Sequence, residues 1–191
     1  MVLTGVLLKF KNTICLVKKE VLTPLLIILG LITSFIIISS LEFYGINTEI
    51  SFPTLLFFVI GFIVVTVLHE ITHYMVIKLF TKQSVKLKFY FKYMALIIIY
   101  DELKWNQYIV TAISPQFTVE IPLIILYFET WSFTILLILI YHTLASLPDL
   151  VLSIKIILMF KNSSVKMYVE NNRVKGYYVF KENGECIQYL F

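Results

Sequence analysis

Apolar residues in this chain fall into four long blocks, and most of the charged residues lie between or beyond them. The blocks run from about Val21 to Leu41, Phe52 to Phe80, Tyr108 to Phe128 and Trp131 to Phe160. Each is near or above the ~20 residues that a helix needs to cross hydrocarbon, which predicts four transmembrane helices. The first block lacks a small-residue cleavage site and is longer than a signal peptide's apolar region, so it is expected to remain as an anchor. Ser51 is a candidate N-cap for the second block, and Pro53 falls in its first turn, where proline is tolerated. Pro115 and Pro122 interrupt the third block, and Pro148 interrupts the fourth. The turn Phe128-Glu129-Thr130-Trp131 is short enough to make the last two helices antiparallel neighbours.

The pattern changes period outside the blocks. From Val85 to Tyr93 apolar and polar residues alternate: Val85, Leu87, Phe89, Phe91 and Tyr93 against Lys86, Lys88, Tyr90 and Lys92. This is the signature of a half-buried strand, and Met94 to Tyr100 is a candidate return strand, giving a β-hairpin over about 85–100. Val165 to Phe191 reads as short strands broken at Glu170-Asn171-Asn172 and Glu182-Asn183-Gly184. The predicted organisation is a domain over 1–160 carrying the four spans and the hairpin, followed by a short β-rich tail over 161–191.

Composition excludes a disordered chain and an ordinary soluble domain, with 59% hydrophobic and only 15% charged residues. The positions of the charges then give orientation. Lys9, Lys11, Lys18 and Lys19 precede the first span; Lys82, Lys86, Lys88, Lys92 and Lys104 separate the second and third. Lys161, Lys166, Arg173, Lys175 and Lys181 follow the fourth, and Lys78 and Lys155 sit near span ends on the same side. The two other connections carry only Glu42, Glu49 and Glu129. Because basic residues favour the cytoplasm, both termini, the hairpin and the tail are placed there. The fold class is therefore a mainly α membrane protein with four transmembrane helices, a cytosolic membrane-associated β-hairpin and a small cytosolic β tail. Cys15 and Cys186 lie far apart in sequence and outside any metal-type pair, and are expected to be reduced thiols.

One block carries chemistry. His69-Glu70-Ile71-Thr72-His73 lies inside the second span, and four-residue spacing puts both imidazoles on one helix face. Two histidines so placed suit zinc, with Glu70 beside them as general base towards a zinc-activated water. The competing reading is a polar helix-packing seam without metal.

A catalytic zinc site needs a third protein ligand. His69 lies eleven residues from Phe80, and Asp149 lies eleven residues from Phe160. The second and fourth spans run in the same direction, so both side chains sit roughly 16 Å from the cytosolic end. Asp149 is thus the level-matched candidate, and Pro148 before it is expected to loosen the helix and admit water. Glu120 is also level with the site and stands as an alternative ligand, a helix contact or a protonated acid. His142, two turns outward of Asp149, fits a supporting role or a simple bond to a backbone carbonyl. Mid-membrane acids cost about 2.5–3.5 kcal/mol each, or about 8–10 kcal/mol for Glu70, Glu120 and Asp149 together. Zinc bound to deprotonated ligands offsets about 10 kcal/mol or more.

The histidine motif in one span, with Pro148-Asp149 in a later one, resembles the site-2 protease group of intramembrane zinc metalloproteases. With Ala112-Ile113-Ser114-Pro115 in the third span and Ala145-Ser146-Leu147-Pro148-Asp149 in the fourth, the chain resembles more closely a bacterial family, the putative zincin peptidases, over about Phe52 to Phe160. The resemblance implies zinc ligation by His69, His73 and Asp149, with Glu70 as base.

The expected function is an intramembrane zinc metallopeptidase in a bacterial cell membrane, acting on membrane-embedded or membrane-associated polypeptides. Its partners are substrate and the lipid bilayer, with no nucleic acid, and its oligomeric state is left open. The rival is a noncatalytic zinc-binding membrane scaffold of regulatory or immunity type, which has no need of Glu70 as a base. Ser114 and Gln116 are candidate substrate contacts or ordinary helix-to-helix bonds. The lysine-bearing strand either rests on the anionic leaflet or pairs through its edge with unwound substrate.

Overall fold

A computed structural model describes residues 7–10, 13–19, 22–43, 51–81, 85–90, 95–170 and 173–190. Lys11, Val21, Glu49, Lys82, Phe91 to Met94, Asn171, Asn172 and Phe191, on which parts of the sequence reading rest, lie outside the described residues. The chain is mainly helical. Strands β1 (Leu7–Phe10) and β2 (Thr13–Lys19) precede helices α1 (Leu22–Phe43) and α2 (Phe52–Thr81). Strands β3 (Lys86–Tyr90), β4 (Ala95–Ile99) and β5 (Leu103–Lys104) follow. Next come α3 (Trp105–Pro115), a π-helical turn (Gln116–Glu120), α4 (Ile121–Thr130) and α5 (Phe133–Met159). Strands β6 (Ser164–Glu170), β7 (Arg173–Phe180) and β8 (Cys186–Leu190) close the order.

Among the described residues three helical stretches are long and apolar enough to cross a membrane: Phe52–Thr81, Trp105–Thr130 and Phe133–Met159. The first predicted span falls on α1, where Ile27–Ile36 forms a shorter apolar stretch. Helix α2 begins at Ser51, whose Oγ accepts the Thr54 N–H at 3.3 Å, so one of the unpaired donors of the first turn is satisfied. Large apolar side chains such as Phe57, Ile63, Phe117, Ile125 and Ile157 face outward. An outward apolar surface on helices of this length suits lipid rather than water.

Two apolar clusters hold the helices together. The larger joins Ile77 of α2, Tyr108 and Ala112 of α3, and Leu152 and Ile156 of α5 to Val165, Val179 and Ile187 of the sheet. The smaller joins Val65, Val119 and Ile138 further along the same helices. Between these dry layers lie the histidines of α2.

The tail forms strands as its sequence suggests, with β6, β7 and β8 over Ser164–Leu190. Its strands form one six-stranded sheet with the N-terminal strands, in the order β1-β2-β8-β7-β6-β5. Strand β8 pairs parallel with β2 and antiparallel with β7, so residues from both ends of the sequence share a sheet. A separate hairpin, β3 with β4, pairs Lys86 with Ile99 and Tyr90 with Ala95. The expectation of two reduced thiols is overturned: Cys186 is disulfide-bonded, and the residue opposite it in the β2–β8 register is Cys15. Strand register brings these distant positions together, and nothing local in the sequence announces a register. Helix α5 also runs unbroken through Pro148, so the anticipated loosening is not a break in the helix.

The sheet generates a stability prediction. A Cβ on Gly176 would lie 1.8 Å from the Tyr189 carbonyl oxygen, whereas one on Gly184 meets nothing within 4 Å but sits at φ +81°. Gly176→Ala should cost the upper end of the roughly 1–3 kcal/mol typical of over-packing. Gly184→Ala should cost about 1 kcal/mol of left-handed strain. Thermal unfolding in detergent checks the order; equal losses would contradict the packing at Gly176.

Candidate metal centre

Helix α2 carries His69 and His73 one turn apart, and α5 brings Asp149 against them. His69 Nε2 and His73 Nε2 lie 3.0 Å apart. Asp149 Oδ2 is 3.3 Å from the first and 3.2 Å from the second. The side chains are 10%, 12% and 28% exposed, respectively. Together they form a group of ligand atoms within 4.8 Å of one another.

The opposite edges of the two imidazoles explain their orientation. His73 Nδ1 lies 2.8 Å from the Thr111 carbonyl oxygen. A carbonyl only accepts, so Nδ1 carries a proton, and in the neutral ring the Nε2 lone pair points into the group. The carbonyl is free for this bond because of Pro115. In an α-helix the amide four residues after Thr111 would occupy it, but proline has no N–H and its ring pushes that carbonyl aside. Ser114 Oγ donates to the same oxygen at 2.7 Å. Ser114 therefore satisfies its own helix, and the Gln116 amide does the same when its nitrogen is turned towards the Ala112 and Ile113 carbonyls.

His69 Nδ1 lies 3.1 Å from His142 Nε2, and the His142 side chain is 1% exposed. Glu120 does not join the group: its Oε1 accepts from Thr143 Oγ1 at 2.8 Å, and its Oε2 lies 3.6 Å from His142 Nδ1. The π turn accounts for part of this placement. The Ile121 N–H donates to Gln116 O rather than to the residue after it. The widened turn rotates the next residues relative to a straight helix, which counting along the axis does not capture. Thr118 on that turn is tied to Thr72 by a 3.0 Å hydroxyl contact. Glu70 is half-buried on the same helix, within electrostatic reach of His73 and Asp149.

The donor set fits zinc. Two neutral imidazoles and a carboxylate are among its ordinary ligands, and a tetrahedral ion with bonds of about 2.0–2.1 Å needs ligand atoms roughly 3.3–3.4 Å apart. Three converging acceptor atoms at 3.0–3.3 Å repel one another unless a cation or a proton lies among them.

Residues 62–164 match the family model described as "Putative zincin peptidase". The chain belongs to this family. No curated protein and no solved structure matches it. Membership points to a metallopeptidase, and the matched stretch contains every residue of the group as well as Thr111, Glu120 and His142.

Sequence reasoning on this zincin-family chain brought together His69, His73 and Asp149, left the part of His142 open between a supporting role and a backbone bond, and missed two other neighbours. The Thr111 carbonyl is signalled by Pro115 four residues later. The contact of His142 with His69 has no local signal. Tyr100, just after β4, is the other: burial pushes its phenol above the usual range and the nearby Asp149 carboxylate adds to the effect.

Replacing Pro115 restores an amide that competes for the Thr111 carbonyl. Pro115→Ala should weaken zinc binding about 10-fold, the lower end of what lost outer-layer hydrogen bonds cost, without destabilising the metal-free protein. Chelator competition and thermal melts measure the two effects; unchanged affinity would mean the carbonyl does not orient His73.

Proposed function

We propose that this protein is an intramembrane zinc metallopeptidase of site-2 protease type. The observation that carries the reading is the convergence of His69 Nε2, His73 Nε2 and Asp149 Oδ2 beside the Glu70 carboxylate, on helices with apolar outer surfaces. In this reading those three atoms hold zinc, which when bound supplies Lewis acidity that acidifies water and polarises a peptide carbonyl. The Glu70 carboxylate takes the proton of the attacking water and later gives it to the leaving amine. His73 is kept in the productive tautomer by the Thr111 carbonyl. The apolar layers on either side, around Val65 and around Ile77, restrict water to a narrow approach.

The substrate class is a membrane-embedded or membrane-associated polypeptide, because a centre flanked by such layers is reached most readily from within the bilayer. The setting is a bacterial cell membrane, with four spans, both termini in the cytoplasm and the β3–β4 hairpin at the inner surface. The disulfide at Cys186 taken alone favours an oxidising compartment. The orientation rests instead on the distribution of sixteen basic residues, which is the stronger determinant of insertion. The open edges of the β3–β4 hairpin suit pairing with an unwound substrate segment, and Leu87 and Phe89 are exposed along it.

Purified His69→Ala and Asp149→Ala should lose stoichiometric zinc. Glu70→Gln should keep it while cleavage of spanning peptides in liposomes falls about 10²–10⁴-fold. Elemental analysis and mass spectrometry of the products read both. Zinc binding with identical behaviour of parent and Glu70→Gln towards a panel of membrane peptides would favour the noncatalytic scaffold.

A further inference from the structure

Resting on the zinc reading above, we infer that His142 and Glu120 are positioning residues: buried His142 and half-buried Glu120 form a chain that fixes the tautomer and angle of His69 without touching the metal. The chain crosses three helical segments. Glu120 closes the π turn, His142 lies on α5, and His69 lies on α2. Its contacts are Glu120 Oε2 to His142 Nδ1 at 3.6 Å and His142 Nε2 to His69 Nδ1 at 3.1 Å.

Donor and acceptor bookkeeping sets its direction. A neutral imidazole has one N–H and one lone pair. The Glu120 carboxylate accepts, so the His142 proton belongs on Nδ1, leaving Nε2 as acceptor. His69 then carries its proton on Nδ1 and donates to His142, and its Nε2 lone pair points at His73 Nε2 and Asp149 Oδ2. Both ligand histidines reach the same tautomer by independent routes, His73 through a backbone carbonyl and His69 through a second imidazole.

Three observations favour this arrangement over incidental packing. His142 Nδ1 is fully buried without a hydrogen bond in the present geometry, and Glu120 Oε2 is the acceptor facing it. Glu120 is itself anchored, since Thr143 Oγ1 donates to its other oxygen. His142 also cannot ligate the same ion through Nε2, because that atom is occupied by His69. A partner of this kind typically changes metal affinity or activity 10–100-fold when removed.

The chain has only three histidines, so ring-nitrogen NMR of ¹⁵N-histidine-labelled protein resolves each tautomer. Full-length parent, His142→Leu, His142→Gln and Glu120→Leu are purified, loaded with zinc or cobalt, and compared. His142→Leu should weaken zinc binding about 10–100-fold and shift the cobalt visible bands. His142→Gln, whose side-chain oxygen accepts from His69 Nδ1, should recover most of the affinity. Glu120→Leu removes a costly mid-membrane acid and so should fold readily. It should nevertheless release the His142 tautomer and weaken zinc several-fold. Parent-like affinity, cobalt spectrum and His69 nitrogen shifts in His142→Leu would overturn the positioning role alone. The same parent-like pattern in Glu120→Leu would overturn it should His142→Leu fail to fold. A parent that takes up no zinc would overturn the metallopeptidase reading and this inference together.

Discussion

Three ligand atoms converge between two apolar layers, and the contacts around them keep them converging. His69 Nε2, His73 Nε2 and Asp149 Oδ2 approach to 3.0–3.3 Å, a spacing that a shared proton or a bound cation accommodates. Helices α2 and α5 hold the atoms there through buried apolar contacts on either side. One layer contains Val65 and Ile138, the other Ile77, Leu152 and Ile156. In lipid such contacts gain from van der Waals packing between the helices rather than from removal of apolar surface from water.

The third helical stretch supplies the supporting contacts, and it does so through irregularity. A regular helix uses every interior carbonyl for itself and has none to lend. Pro115 withholds one amide, so the Thr111 oxygen faces sideways to His73. The π turn beyond it redirects Glu120 and Thr118, one towards α5 and the other towards α2. Proline and the widened turn are therefore part of how the imidazoles are aimed.

Legibility in the sequence followed the range of the interaction. The pairing of His69 with His73 is a property of helical periodicity and can be read from five residues. Asp149 was legible because two parallel helices share a depth scale, so equal distances from Phe80 and Phe160 mean equal height. His142 escaped that scale: the count follows the backbone, whereas an imidazole has nitrogens on two edges and one ring touches neighbours at two levels. Glu120 escaped it because the π turn breaks the constant rotation per residue that the count assumes. Alternation identified strand-like segments, but the union of β2 with β8 depends on pairing between residues some 170 positions apart, which no local pattern encodes.

That union constrains how the molecule is made. Strand β8 lies between β2 and β7, so β1 and β2 have no place in the sheet until residues 186–190 have left the ribosome. The helices are synthesised earlier, before Ile187 and Tyr189 are available to join Ile156 in the larger apolar cluster. Completing the sheet means bringing together segments separated by nearly the whole length of the polypeptide, the slowest kind of folding event. Until that pairing forms, the helices that carry His69, His73 and Asp149 lack the sheet that packs against them.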